Sequence, residues 1–570
     1  MNNFNIDENI FTQVEKGVVL TPVIRSFPIW DFSLKESEVI SCGLPSTKPT
    51  PNCMLEFVRH EQLVYLRKKF SRLVEEHLDI RPPKECFNRW LFDQLAAPEV
   101  ESTTTNHEPL LKNPNIARES KVLHHQLLEN IPCSTQVPWG RRDREDLYRQ
   151  KYIEYTRKLI SWIRKWIDET NSILNTIADI NSEKFTDLKS ECDMLINSAG
   201  QLEEILQIFK QYSREDIRNL FDRVKKVQNT NLIKSKFETV INKIVEEIIE
   251  EVQKTIKIIE EQSSRPVPEN EIVSVDLSER GEFAFIKYNQ DELKITKLHY
   301  HKLRILYIIH NIMETSNKED KTTESEKEIS MNKEQRDNFH RTLYSCTRRY
   351  ATLFGENEGA SFHAAAPESC FEIMKKEFSV TQELFASPLN CHFGRFCSAF
   401  PDTDCWFGSF GSFFDFFPKS GSFEVNPPFT TDVMDRMAKR LDEILAQQES
   451  PLSFIVFVPE WRTPVAEYHK IMDISIFNRK TVLIKGNQHA FVVGDQHTAA
   501  SRYFNLPFNT QVYFLQNESG AVTWPVTEEK LNNFAKSLND PLQLKLVTTN
   551  KRGPYEPNKR FPPNKYQKRP

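Results

Sequence analysis

Four consecutive residues, Asn426-Pro427-Pro428-Phe429, combine types that could do chemistry. Asn426 and Pro427 each precede a proline, which holds both extended rather than helical. Each proline fixes φ near one value and has no N–H to offer. What remains is a stiff edge with two hydrogen-bond acceptors, the Asn426 side-chain oxygen and the Pro427 carbonyl. Two acceptors at one place suit a group with two N–H donors, an exocyclic amine. The amine of adenine is a poor nucleophile because its lone pair is delocalised into the ring. Hydrogen bonds to both protons favour a more pyramidal nitrogen and free that lone pair. Phe429 offers a face on which the base can stack, worth about 1–3 kcal/mol per base. A sulfonium methyl group beside the nitrogen would complete a near-attack arrangement. The chemistry on offer is methyl transfer to an amine, and it calls for no metal.

These residues need a frame. Side chains alternate along SFEVN (422–426), so Phe423 and Val425 face one way and Glu424 and Asn426 the other, as on a strand. Thr430, Thr431 or Asp432 can cap the following helix. That helix has an apolar face of Val433, Met437, Leu441, Ile444 and Leu445. In open α/β sheets ligands bind beyond the carboxyl ends of strands, where the tetrapeptide falls. From Phe371 onward helical and strand patterns alternate: FEIMKKEF as helix, then TQELFAS, SFEVN, LSFIVFV, TVLIKG and QVYFLQ as strands. Alternation of this kind predicts a doubly wound sheet in an α/β domain.

Upstream, the apolar period is helical. Leu63, Leu66, Phe70, Leu73, Val74 and Leu78 form one stripe, and Tyr155, Leu159, Trp162, Ile163, Trp166 and Ile167 a second. A third runs from Phe237 to Ile259. After SSRPVPEN, the runs IVSVDL, EFAFIKY and ELKITKL read as short strands. The expected organisation is an extended or partly disordered arm over 1–54, an all-α domain over 55–265 and an α/β domain over 266–550. A charged, mobile insertion is expected at 314–338 and a basic, disordered tail at 551–570.

Composition fits several soluble domains: 570 residues, 39% hydrophobic and 27% charged. The start MNNFNIDENIF has no basic or apolar region of a signal peptide, and no apolar run is long enough to span a bilayer. Ten cysteines occur without a CxxC pair, which points to buried free thiols in a reducing compartment rather than to zinc or disulfides. Net charge is −5, so bulk electrostatics do not announce a nucleic-acid partner. The stretch 550–570 carries seven Lys/Arg against one Glu and reads as a nuclear-import address, an RNA-contacting arm or a solubilising tail.

FASPLNCHF (385–393), FCSAFPDTD (396–404), WFGSFGS (406–412), SGSFEVNPPF (420–429) and PLSFIVFVPEW (451–461) together resemble the phosphorylated-CTD-interacting factor, or cap-specific adenosine methyltransferase, family. YLRKKFSRLVEEHLDIRPPKECFNRWL (65–91) resembles that family's helical domain more weakly. The resemblance implies a Rossmann-like methyltransferase domain preceded by an all-α helical domain. It implies transfer of a methyl group from S-adenosylmethionine to N6 of the 2′-O-methyladenosine next to the 7-methylguanosine cap of mRNA, in the nucleus. By that likeness Asn426, Pro427, Pro428 and Phe429 would hold the target adenine. Phe385, Ala386, Ser387, Pro388, Leu389 and Asn390 would replace a Gly-rich loop and contact the cofactor together with Phe407, Gly408, Ser409 and Glu424. Vertebrate-type members carry an N-terminal WW domain that binds the RNA polymerase II C-terminal domain. Residues 1–54 lack its paired-tryptophan pattern, with Trp30 standing alone, which puts docking on that tail in question.

A capped RNA needs further contacts. Methylated guanine is cationic and suits an aromatic face with a carboxylate, for which Glu460 and Trp461 are candidates. Arg157, Lys158, Arg164 and Lys165 fall on one helical face and could contact phosphates, though such faces are commonly just solvated. Other readings of the same tetrapeptide are an N6-adenine methyltransferase of structured RNA, a protein glutamine methyltransferase, and a silent scaffold that binds capped RNA or polymerase.

Overall fold

The computed structural model describes residues 30–32, 39–83, 85–96, 108–111, 122–124, 127, 142–208, 224, 226–227, 230–268, 271–277, 281–313, 331–355, 360–462, 465–498 and 503–539. The basic tail 551–570 and residues 314–330 of the insertion lie outside them. The chain forms two compact units, residues 57–266, and residues 1–56 with 267–570.

The described residues of 57–266 are mainly helical. They comprise α1 (Cys53–Leu78), inside which the boundary falls, α2 (Cys86–Ala96), α3 (Arg142–Thr176), α4 (Glu183–Ile208) and α5 (Asn231–Ser263). The stripe on α5 buries Phe237, Ile241, Ile244, Ile248, Ile249, Val252 and Ile259. Trp162 and Trp166 of α3 meet the Phe237 ring edge-on at 5.1 and 5.2 Å. Arg59 is buried and forks onto the Glu108 carboxylate at 3.0–3.1 Å, so its charge is matched.

The other unit is built on a five-stranded mixed sheet in the order β5 (Gln382–Glu383), β7 (Gly421–Val425), β8 (Leu452–Pro459), β12 (Thr510–Gln516) and β9 (Asn478–Ile484). β5, β7 and β8 run parallel, while β12 is antiparallel to both of its neighbours. Alternation along β8 shows why helices cover both faces. Phe454, Val456 and Val458 join Met434, Met437, Leu441 and Tyr468 in one core; Ile455 and Phe457 join Phe371, Met374, Phe378, Leu531 and Phe534 in the other. The first face belongs to α9 (Thr431–Gln447) and α10 (Glu467–Ile474), the second to α8 (Glu368–Phe378) and α12 (Glu528–Ser537). Upstream, β2 (Ser274–Asp276), β3 (Phe283–Tyr288) and β4 (Asp291–Thr296) form an antiparallel meander, followed by α6 (Lys297–Ile308) and α7 (Lys333–Phe354).

Two local expectations are corrected, and the described part of the arm is extended chain. TQELFAS pairs only over Gln382–Glu383, because Leu384 onward turns into a loop. Residues 333–338 of the insertion are helix: the Asn332 side chain accepts from Gln335 N–H and the Gln335 side chain from Asn332 N–H, a box that fixes the start of α7. In the arm, Trp30 and Phe32 are buried, and β1 (Val39–Ser41) pairs with β6 (Phe417–Pro418).

Candidate active site

β7 ends at Val425, and Asn426 follows it with 9% of its surface exposed. Its Nδ2 donates to the Ala364 carbonyl at 3.1 Å. A carbonyl can only accept, so the contact fixes which end of the amide is which and leaves Oδ1 as an acceptor with no donor among the described residues. The buried Pro427 carbonyl accepts nothing from the described residues, whereas the Pro428 carbonyl takes the Thr430 N–H at 2.7 Å. Two neighbouring residues therefore each carry an acceptor with no donor among the described residues. Thr430 is the N-cap of α9, but its hydroxyl makes no capping bond and is buried without a partner, unlike the cap expected there.

The loop after β5 is closed by its own side chains. Asn390 Oδ1 accepts from Ser387 N–H at 2.7 Å and from Ser387 Oγ at 3.0 Å, while its Nδ2 donates to the His363 carbonyl at 3.1 Å. Consecutive carbonyls, His363 and Ala364, thus tether Asn390 in one loop and Asn426 in the other. Ala365 pairs with Val492 and anchors this segment. Ala386, Pro388 and Leu389 are buried, and Phe385 lies 4.8 Å from the Phe413 ring.

Glu383 and Glu424 face each other in the β5–β7 register, both nearly inaccessible. The Glu383 carboxylate accepts N–H bonds from His392 and Phe393 at 2.7 and 2.8 Å. Burial still pushes it up to about 7, with those N–H groups and then Lys302 acting in the opposite direction. Glu424 is pushed further above the usual carboxylate range, by burial first and the Glu383 charge second. It accepts no hydrogen bond from the described residues, so it is the member that keeps the proton.

Phe407 is fully buried, 6.5 Å from the Tyr307 ring. Gly408 has φ +103°, and a Cβ there would strike His310 Nε2 and the Gly394 carbonyl, which bond each other at 2.8 Å. Ser409 Oγ pairs with Ser398 Oγ at 2.7 Å and accepts from Gly411 N–H. The side chains of Ser387, Asn390 and Ser409 are thus committed to loop shape.

At the same carboxyl edge, Glu460 follows β8. One carboxylate oxygen accepts from Asn509 Nδ2 at 2.7 Å, and Asn509 Oδ1 accepts from Gly486 N–H at 2.7 Å. Trp461 packs half-buried against the core beneath α9 and α10. Phe508, in the loop before β12, is 40% exposed with its ring 6.3 Å from that of Phe429. Within the helical unit, Lys158 Nζ bonds the Asp79 carbonyl and Arg164 pairs with Glu203. Arg157 and Lys165 are exposed with no acidic partner among the described residues.

Sequence reasoning missed Glu383, Ala364, Asn509 and Phe508. Glu383 carried a local signal, an acid closing the strand before the FASPLN loop. The other three become significant only through contacts made by folding.

Residues 302–494 match the family model described as Phosphorylated CTD interacting factor 1 WW domain. That description names a WW domain, whereas the matched residues here form helices and strands β5–β9 with the adjoining β10 (Ala490–Val492). Two relatives share 28% identity with the chain: the mRNA (2′-O-methyladenosine-N(6)-)-methyltransferase of Homo sapiens over 529 residues, and that of Mus musculus over 526. Each alignment covers 89% of this chain, and respectively 70% and 69% of the relative. The FASPLN loop and the Asn426 strand end lie inside residues 302–494, and the chain is similar over most of its length to these two mRNA methyltransferases.

Proposed function

We propose that this chain is an mRNA cap-specific adenosine N6-methyltransferase using S-adenosylmethionine on a Rossmann-like domain. The observation that carries the reading is the Asn426 amide, held through Nδ2 so that Oδ1 and the Pro427 carbonyl form a paired acceptor. Relatives spanning most of the chain are named for this reaction on mRNA, which supports it.

The site has places for both reactants. Glu424 is a buried acid whose carboxyl oxygens have no donor among the described residues, which fits the hydroxyl groups of the cofactor. S-adenosylmethionine supplies an electrophilic sulfonium methyl group when bound. Asn426 Oδ1 and the Pro427 carbonyl accept the two N6 protons of adenine, which turns the nitrogen lone pair out of conjugation. Phe429 stacks on the base and fixes its plane. The bound geometry turns a bimolecular step into an effectively unimolecular one. The shared tether through His363 and Ala364 keeps the cofactor loop and the base-binding strand end in register. RNA 5′ ends are single-stranded, so presenting the base requires little unstacking.

The test is methyl transfer from labelled S-adenosylmethionine to two short RNAs that begin with 2′-O-methyladenosine. One carries a 7-methylguanosine cap and the other a bare triphosphate. Labelling confined to the capped RNA is expected. Equal labelling of both would favour a structured-RNA substrate, and none would favour a silent scaffold.

A further inference from the structure

We propose that Phe508 is the aromatic platform for the cationic 7-methylguanine base of the cap, with Glu460 as its counter-charge. This rests on the cap-specific reading above and assigns its second base.

Phe508 is a large aromatic left 40% exposed at the rim of the site. An exposed side chain on a loose loop would count for little, but this loop is stapled. Asn509, the next residue, bonds Glu460 through Nδ2 and Gly486 through Oδ1. The buried Leu506 donates its N–H to the His489 carbonyl, and its own carbonyl accepts from Asn487 N–H at 2.7 Å. The ring is therefore presented on a fixed backbone, as a binding platform must be.

Its orientation says what it can hold. The Phe429 and Phe508 planes lie at 67° with centroids 6.3 Å apart. A flat base can lie parallel to only one of them. With the target adenine on Phe429, Phe508 is left for a neighbouring base, and in a capped transcript that neighbour is the guanine across the triphosphate. N7 methylation gives this guanine a positive charge, which an aromatic face attracts. Its Watson–Crick edge presents N–H donors, which a carboxylate accepts. Glu460 meets that need: Asn509 holds one of its oxygens and the other has no partner among the described residues. Phe508 is a more open ring than Trp461, which is half-buried against the core.

The test titrates the full chain with the dinucleotide cap analogue 7-methylguanosine-triphosphate-adenosine and with its unmethylated counterpart. Methyl transfer to RNAs bearing each cap is measured alongside. Wild type is expected to favour the methylated guanine by between about threefold and about thirtyfold, the range of a cation over an aromatic face. Phe508→Ala is expected to lose that preference, with the larger part of the loss in KM for capped RNA. Phe508→Trp is expected to keep it, and Glu460→Gln to weaken both analogues and the methylated one more. A melting curve confirms that Phe508→Ala is folded. No preference in wild type, or one that survives in Phe508→Ala, overturns the assignment. A Phe508-dependent preference without transfer to any RNA would sink the enzymatic reading and leave the guanine site standing. Transfer to capped RNA with a preference indifferent to Phe508 would do the reverse.

Discussion

The paired acceptor places most of the reaction on one side chain and one backbone carbonyl. Asn426→Ala removes the side-chain acceptor and leaves the backbone fold of the Pro-Pro edge in place. The expected loss in kcat is about a hundredfold or more, the scale seen when one preorganised polar group is deleted from a reacting centre. Cofactor affinity, read by calorimetry, should stay within a few-fold, because the Ser387–Asn390 turn does not use Asn426. A parallel loss of cofactor binding would mean that Asn426 acts on the loop instead. The acidic pair makes a second, independent prediction. Glu383 and Asp404 are pushed up to about 7 and Glu424 higher still, all chiefly by burial. The folded chain therefore binds more protons than the unfolded one from about 4.5 to beyond 7. Stability is fully present below that window and falls as pH rises through it. Glu424→Gln, a neutral copy of the protonated form, should flatten the fall in melting temperature between pH 5 and 8. It should also weaken cofactor binding, since a stabilising change at a binding carboxylate has that cost. An unchanged pH profile would remove Glu424 from the pair.

At the scale of elements, what the sequence announces and what it conceals divide by periodicity. β7, β8 and β12 alternate in a pattern that local chemistry imposes, and X-Pro restriction marks the end of β7 at Asn426. The two-residue β5, the π-helical turn Ile309–Met313 and the 3-10 turn Cys405–Phe407 have no such period. Their shapes come from partners far away in the chain, such as Lys48 Nζ on the His310 carbonyl at 2.9 Å, 262 residues distant. The same division holds within the site. The acceptors at 426 and 427 follow from the residues themselves. The carbonyl that orients Asn426 is 62 residues away and Phe508 is 79 residues beyond Phe429, so neither is visible in a local pattern. Gly408 tests one of the concealed turns. Its φ of +103° strains any other residue, and a Cβ would also collide with His310 and Gly394. Gly408→Ala should cost about 2–5 kcal/mol, backbone strain plus crowding. Gly281 has φ +130° with open space around it, so Gly281→Ala should show the strain alone. Equal losses in denaturant melts would mean that crowding at Gly408 is relieved by movement of His310.

For the molecule as a whole, the N-terminal arm is part of the unit that bears the sheet. Asp31 N–H bonds the His392 carbonyl at 2.9 Å, and Gly394 N–H bonds the Asp31 carbonyl at 3.1 Å. Residues 392 and 393 are the ones whose N–H groups hold Glu383 from inside. The same short segment is therefore gripped on one side by the arm and on the other by the buried acid. Trp30 closes the grip, 4.9 Å from the Lys302 ammonium and 5.4 Å from the His299 ring. Further along, β1 pairs with β6, the Gly43 backbone fills the space a side chain at Gly411 would need, and Trp406 Nε1 donates to the Pro49 carbonyl at 3.1 Å. Both segments expected to meet the cofactor, 385–390 and 407–409, thus border chain that the arm holds. Deleting residues 1–52 should raise hydrogen exchange at 385–397 and 406–418 and weaken cofactor binding by about tenfold, an ordering cost of about 1.4 kcal/mol moved to the binding step. The helix α5, whose buried stripe includes none of these contacts, should keep its protection and serve as the internal reference. Unchanged exchange in both loops would show that the sheet and Glu383 hold them without the arm, and the grip at Asp31 would then be a contact without consequence for the site.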